Sequence, residues 1–240
     1  MGRSPTLPRV TLEVGTENVA GVVTAEVAGA HRVELCSSLT EGGVTPSLGL
    51  FRRARTRSRL PIHVLVRPRA GDFCYTDLEL AVMLDDLALF KDAGADGFVF
   101  GALHEDGTLA LPQLEKLMTA AGNVPVTFHR AFDRCREPLE VLEQLVGLGV
   151  TRLLTSGGQP DALAGAPFIR QVTERAAGRL TVMAGGGVRP HNAAQLVRES
   201  GVTELHVSAR QPSPADLSGF AFGTPAFTDE TSIKTLVRSL

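Results

Sequence analysis

The feature of this 240-residue chain that most limits its fold is a short unit that recurs four times. Ala28-Gly29-Ala30-His31-Arg32-Val33-Glu34-Leu35-Cys36 is echoed by Ala93-Gly94-Ala95-Asp96-Gly97-Phe98-Val99-Phe100-Gly101. The same scheme returns in Leu148-Gly149-Val150-Thr151-Arg152-Leu153-Leu154-Thr155-Ser156 and in Ser200-Gly201-Val202-Thr203-Glu204-Leu205-His206-Val207-Ser208. In each copy a glycine stands where a helix would end, since the position after a helix favours left-handed backbone. A strand-like run follows it.

Eight such runs can be read, at 11–15, 32–36, 62–68, 97–101, 126–131, 152–156, 181–185 and 204–209. Helical patterns lie between them. Residues 76–93 carry Leu78, Val82, Leu87 and Phe90 near helical spacing, and 137–148 carry Leu139, Leu142, Leu145 and Val146. Strands alternating with helices predict βα units and a parallel sheet. The repeated unit spans two βα units and leads into every even-numbered strand, so four copies close a barrel of eight. The expectation is a single (β/α)8 TIM barrel over residues 1–240, with its core at about 10–210 and a tail at 211–240. A doubly wound dinucleotide fold is excluded, because Glu13-Val14-Gly15-Thr16-Glu17-Asn18 is not G-x-G-x-x-G.

The repeat also predicts facing, because strand side chains alternate between faces. Val33, Phe98, Leu153 and Leu205 form one apolar column, and Leu35, Phe100, Thr155 and Val207 form another of the same parity, meeting the helices. The other parity points into the barrel. It places Glu34, Val99, Leu154 and His206 in one layer, with Cys36, Gly101, Ser156 and Ser208 above it, where small residues leave room for a ligand.

Active sites of such barrels lie at the carboxyl ends of the strands, and here those ends are polar. Glu13 and Glu34 fall on adjacent strands; they suit a general acid/base pair or a hard-metal site, or each pairs with a cation such as Arg67 or His206. His129, followed by Arg130 and Asp133, can serve as acid, base, metal ligand or hydrogen-bond partner of a substrate. His63 reads as a satisfied histidine of the barrel interior. Glycine turns follow strands six and seven, at Ser156-Gly157-Gly158 and Gly185-Gly186-Gly187, and Ser208-Ala209-Arg210 follows strand eight. Loops in these places commonly cradle phosphate, and Pro190 stands where the next helix should start. The expected anion-binding set is Arg67, Arg69, Asp72, Arg130, Ser156, Gly185, Gly186, Gly187, His206, Ser208 and Arg210, with Glu13, Glu34 and His129 moving protons.

Composition removes several classes. A net charge of −2, no Trp and one Tyr exclude a nucleic-acid footprint, and the arginines of 52–59 read as the solvated face of a helix over 47–58. No apolar run approaches a membrane span, and no secretory leader is expected. The three cysteines, Cys36, Cys74 and Cys135, are odd in number and widely spaced, which predicts a reducing compartment.

The strand-end motifs carry a resemblance. Arg32-Val33-Glu34-Leu35-Cys36-Ser37 with Glu41-Gly42-Gly43-Val44-Thr45-Pro46-Ser47, Val66-Arg67-Pro68-Arg69-Ala70-Gly71-Asp72-Phe73-Cys74-Tyr75, Phe100-Gly101-Ala102-Leu103, Pro125-Val126-Thr127-Phe128-His129-Arg130-Ala131-Phe132-Asp133, Leu154-Thr155-Ser156-Gly157-Gly158 and Met183-Ala184-Gly185-Gly186-Gly187-Val188 resemble the CutC family, named for copper homeostasis. The resemblance runs from about Leu12 to Arg210. It implies a cytoplasmic barrel, often a homo-oligomer, that binds Cu(I) through thiols. Family members often carry a cysteine where this chain has Gly15, so the candidate metal ligands here are Cys36, with Cys74 or a nearby histidine as the second. Two readings therefore stand side by side: a cytosolic copper(I)-binding protein of copper homeostasis, and a barrel enzyme acting on a small phosphorylated or carboxylated metabolite. A non-catalytic scaffold is disfavoured by the charge gathered at the strand ends.

Overall fold

The computed structural model describes residues 9–212 and 226–240. Eight parallel strands close into a barrel, each pairing with its sequence neighbours and β8 returning to β1. They are β1 (Thr11–Thr16), β2 (Arg32–Leu35), β3 (Ile62–Leu65), β4 (Gly97–Phe100), β5 (Val126–Phe128), β6 (Arg152–Thr155), β7 (Thr181–Gly185) and β8 (Glu204–Val207). The helices between them are α1 (Val19–Val27), α2 (Leu48–Arg55), α3 (Asp77–Asp92), α4 (Leu111–Ala121), α5 (Pro138–Gly147), α6 (Ala166–Ala176) and α7 (Ala193–Ser200). A short antiparallel pair, β9 (Arg210–Pro212) and β10 (Ala226–Thr228), precedes α8 (Glu230–Ser239).

The four repeat glycines do what the spacing predicts. Gly29, Gly94, Gly149 and Gly201 have φ of 89°, 85°, 78° and 73°, values that a side chain resists. Each one reverses the chain out of a helix and into an even-numbered strand. The helix starts are equally legible. Asn18 accepts the Gly21 N–H at 2.7 Å, and Thr76 and Glu79 form a reciprocal capping box on α3.

The expected facing holds. Val33, Leu35, Phe98, Phe100, Leu153, Leu205 and Val207 belong to the continuous core under the helices, whereas Cys36, Leu65 and Val99 form a separate apolar cluster inside the barrel. The mantle is close-packed; Phe51 of α2 meets Phe90 of α3 edge to face at 5.6 Å between ring centres.

Three expectations change. The stretch assigned to a tail holds α8, the eighth helix of the barrel, whose Ile233 and Leu236 are buried in the same core. On α3 the buried row is Leu80, Met83, Leu87 and Phe90, while Leu78 and Val82 are exposed. Apolar residues occur all round this helix, so periodicity alone leaves its phase open. On α5 the buried row is Val141, Leu142 and Leu145, and Leu139 is 37% exposed. The arginines of α2 meet the expectation: Arg52 and Arg53 are exposed, and Arg55 reaches Asp96 at 2.8 Å.

Candidate active site

The floor of the barrel is ionic. Arg32, Arg152 and Glu204 come from the first inward position of even strands, and Glu13 lies one layer above on β1. Arg32 bridges Glu13 and Glu204, the latter at 2.6 Å, and Arg152 binds Glu204 at 2.6 Å. Charges this deeply buried persist only when paired. Burial alone would raise the Glu13 carboxyl, but Arg32, the His206 hydrogen bond and His63 hold it well below the usual carboxylate range. It is therefore an anion at all working pH values. The cation beside it is Arg32, not the expected Arg67, and the His206 alternative is realised.

His206 sits directly above. Its Nδ1 lies 2.8 Å from Glu13 Oε1. A carboxylate only accepts, so Nδ1 carries the proton and Nε2 is the free end. Burial would lower the imidazole, but Glu34 and Glu13 together raise it above its ordinary value. Glycines on both neighbouring strands make room for the ring: a Cβ on Gly15 would come 3.1 Å from His206 Nε2, and one on Gly185 would come 3.0 Å from His206 Cβ.

Glu34 completes the group. One ligand atom each of Glu13, Glu34 and His206 falls within 4.8 Å of the others. Unlike Glu13, the Glu34 carboxyl makes no ion pair among the described residues, and burial pushes it up to about 7 against the pull of His206. The two glutamates are thus driven apart, one fixed as an anion and one poised to exchange a proton, the usual mark of divided acid–base roles.

Above Glu34 and His206 opens a cavity of about 390 Å³ at the carboxyl ends of the strands, reaching Arg67, His129, Arg130, Gly186, Gly187, Val188, Arg189, Ser208 and Arg210. Among the described residues Glu34 is the single carboxylate on its wall, facing four arginines. Arg130 is tied to Asp133 at 2.8 Å and to Ser156 Oγ at 2.7 Å, and Arg210 leans on Glu17 at 3.4 Å. Arg67 is buried; among the described residues its guanidinium donates only to backbone carbonyls, those of Glu41, Gly43 and Gly71 at 3.2, 2.8 and 2.7 Å, and its Nε has no partner. It is a buried cation without a counter-charge among the described residues.

His129 differs in kind from His206. Its Nδ1 accepts the Ala131 N–H at 3.2 Å, so Nε2 carries the proton, and that atom is buried without a partner. Burial, with Arg67 nearby, drives the ring down to about 3. Of the roles open to it, this environment favours His129 as a neutral hydrogen-bond donor through Nε2–H. His63 is interior as expected but not satisfied: Nδ1 has no hydrogen bond, lies 3.9 Å from Glu13, and burial takes the ring to about 4.

The remaining expected residues divide. The glycine turn after β7 lines the cavity through Gly186 (φ 108°) and Gly187 (φ 67°), whose N–H groups, with that of Val188, find no acceptor among the described residues. Gly185 lies beneath them against Leu154 and His206. Ser156 is buried and braces the site rather than lining it, its N–H and Oγ held by Asp133 at 3.0 and 2.9 Å. Arg69 and Asp72 fall outside the cavity. They pair with each other at 3.0 Å, and Arg69 Nε reaches Glu79 at 2.5 Å, which ties the β3–α3 loop to its helix. Pro190 does not open a helix; α7 starts at Ala193, after a turn in which the Arg189 N–H donates to Asn192 at 2.8 Å. Sequence reasoning missed Arg189, which carries no motif, and undervalued Asp133. The Asp133 carboxylate accepts from Thr155, Ser156 and Gly158 and so shapes the β6 turn. The thiols do not converge. Cys36 packs against Leu65 and Val99 with Sγ 3.6 Å from the Thr16 carbonyl, and Cys74 lines a different hollow beside His104 and Asp106.

The fold and cavity define a (β/α)8 barrel with a charged cavity at its carboxyl-terminal mouth. Its family is equally plain: the CutC family model matches residues 10–211, and the chain belongs to that family. It is 44% identical over 237 residues to the human copper homeostasis protein cutC homolog, covering 95% of this chain and 87% of that one. It is 47% identical over 199 residues to the family protein CutC of Pasteurella multocida, covering 83% and 82%. The crystal structure of CutC from Streptococcus agalactiae superposes with a TM-score of 0.78 at 32% identity, covering 82% of this chain and 97% of that one. Phosphoribosylanthranilate isomerase of Thermotoga maritima shares the fold alone, with a TM-score of 0.59 at 13% identity over 96% and 97%.

Proposed function

We propose that this CutC-family barrel is an enzyme that performs acid–base chemistry on a small anionic metabolite. The observation that carries the reading is Glu34, a buried carboxyl with no ion pair among the described residues, on a wall it shares with His206 and four arginines. Glu34 exchanges the proton, and His206, oriented through Glu13, sets its charge. Arg130, Arg189 and the unbonded N–H groups of the Gly186–Gly187 turn hold the anion. Inorganic phosphate should raise the melting temperature of the protein, and Arg189→Ala should abolish the rise. Thermal melts unaffected by phosphate, sulfate and a panel of small carboxylates would remove the reading.

The names of the curated relatives support a part in copper homeostasis for this chain. A resident Cu(I) site is a separate matter. Cu(I) prefers thiolate and thioether ligands, yet no cysteine joins the one His/Cys/Asp/Glu cluster found among the described residues. Burial, with Glu34 and Glu17, pushes the Cys36 thiol well up, and the Cys74 thiol is raised too. The donor set does not fit Cu(I), so the chemistry of the site is assigned to the carboxylates and histidines. The specific feature that keeps copper in view is Cys36, which follows β2 just above Glu34. Anaerobic Cu(I) titration of wild type beside Cys36→Ser tests it; tight binding lost in the variant would establish a soft-metal site at the mouth. We also propose a cytoplasmic homo-oligomer, supported by the family resemblance and by three free thiols. No helix of the described residues is long and apolar enough to cross a membrane. Sedimentation equilibrium tests the assembly.

A further inference from the structure

We infer that the ligand of the mouth is a phosphorylated carbonyl compound, and that the site enolises it: Glu34 takes a proton from the carbon beside a carbonyl whose oxygen is held by His129 Nε2–H. The inference rests on the anion-binding reading above and goes further, because it assigns two separate oxygen sites within one cavity.

The first site is the anion grip already described, with Arg130, Arg189 and three successive unbonded N–H groups on the β6–β7 side. The second lies on the β3–β5 side. His129 presents a buried, unpartnered Nε2–H, fixed in that tautomer by the Ala131 N–H on its other nitrogen. Phe73 lies tilted against the ring at 4.7 Å between centres, and the Arg67 guanidinium lies over the Phe73 ring, 5.0 Å from its centre. A buried donor left unsatisfied is costly, so its retention in a side chain that lines the cavity points to an acceptor supplied by the ligand. Arg67 adds a positive charge that no described carboxylate neutralises. A neutral donor backed by a fixed cation suits an oxygen that becomes negative during reaction better than one that is already an anion. Glu34, on β2, approaches from the third side of the same cavity.

The step balances within these groups. The Glu34 carboxylate removes the proton, the C–H electron pair becomes the new C=C bond, and the carbonyl π pair moves onto oxygen. That oxyanion sits against His129 Nε2–H and the Arg67 charge. The Glu34 acid then returns the proton to the carbon it came from: the C=C pair becomes the new C–H bond, and a lone pair of the oxyanion re-forms the carbonyl. Nothing is oxidised or reduced, and His129 keeps its proton throughout.

The test compares two probes by calorimetry on the intact protein: inorganic phosphate, and phosphoglycolohydroxamate, which joins a phosphate to a planar mimic of an enediolate. The hydroxamate should bind at least about tenfold more tightly than phosphate. His129→Phe should erase that margin while leaving phosphate affinity unchanged, and His129→Gln, which keeps an N–H donor, should retain part of it. Arg189→Ala should weaken both probes together. Phosphate binding with no hydroxamate margin, or a margin insensitive to both His129 variants, overturns the enolising site and leaves the anion reading intact. Absence of binding by either probe overturns both.

Discussion

Glu13 on β1 and His206 on β8 are register partners across the seam that closes the barrel, and their side chains meet there at 2.8 Å. The barrel closure and the orientation of the imidazole are therefore one structural event. Glu13→Gln tests this. It leaves the shape and removes the charge that opposes Arg32 and holds the His206 proton. Breaking a buried pair typically costs about 3–5 kcal/mol, and the bond from Arg32 to Glu204 should keep the loss near the lower end. His206 should also titrate lower. The His206 value is raised in the folded chain, so its contribution to stability is complete below the unfolded value of 6.5 and fades as pH rises through the folded value. Urea unfolding across pH should show that contribution in wild type and a smaller one in Glu13→Gln, where Glu34 alone still raises the imidazole.

Glu34 supplies the opposite kind of carboxyl. Its folded value is raised from 4.5 to about 7. Folding therefore favours the protonated form, and the associated stability, complete below pH 4.5, is lost as pH climbs toward about 7. Glu34→Gln fixes the uncharged state. The variant should gain stability relative to wild type as pH rises from 5 to 8, a window set by the same shift. Melting temperatures of both proteins across that range decide it; parallel curves would mean that Glu34 is not shifted.

Gly15 is where the sequence reading counted a missing thiol, and the structure supplies a different reason for it to be small. A Cβ there would stand 3.1 Å from His206 Nε2, the one nitrogen that faces the cavity. Gly15→Ala should cost little in stability, about 1–2 kcal/mol for slight overpacking. It should crowd the Nε2–H and lower the His206 titration, read by two-dimensional NMR of the imidazole nitrogens.

The barrel was legible because glycine and facing carry strong local signals. Gly29, Gly94, Gly149 and Gly201 must adopt left-handed backbone, and inward Glu34 and His206 alternate with outward Val33, Leu35, Leu205 and Val207. The site was legible only by position. Glu34, His206, Arg130 and the Gly186–Gly187 turn fall in one cavity as expected, because strand parity and the βα loops fix where they point. Hydrogen-bond partners are not encoded in that parity. Whether Arg69 turns inward or toward Glu79, whether His129 gives or takes a proton, and whether Arg67 meets a carboxylate or three carbonyls depend on loops distant in sequence. Arg189 was invisible because an arginine two residues past a glycine turn has no distinguishing neighbours.

Arg67 illustrates the point and gives the last prediction. Its fork spans the carbonyls of Glu41 and Gly43 in the β2–α2 loop and of Gly71 in the β3–α3 loop. It joins two loops that roof the cavity and carries charge into it. Lysine keeps the charge but offers a single nitrogen, which cannot occupy three carbonyls placed around a planar guanidinium. Arg67→Lys should therefore cost about 1–3 kcal/mol through unsatisfied carbonyls. Hydrogen exchange should accelerate at residues 41–45 and 70–74 with the rest of the barrel unchanged. If Arg67 served only as a charge for the anion, Arg67→Lys would exchange like wild type, and Arg67→Met would lose phosphate affinity without loosening either loop. The two variants together separate bracing from binding, which the wild-type geometry combines in one side chain.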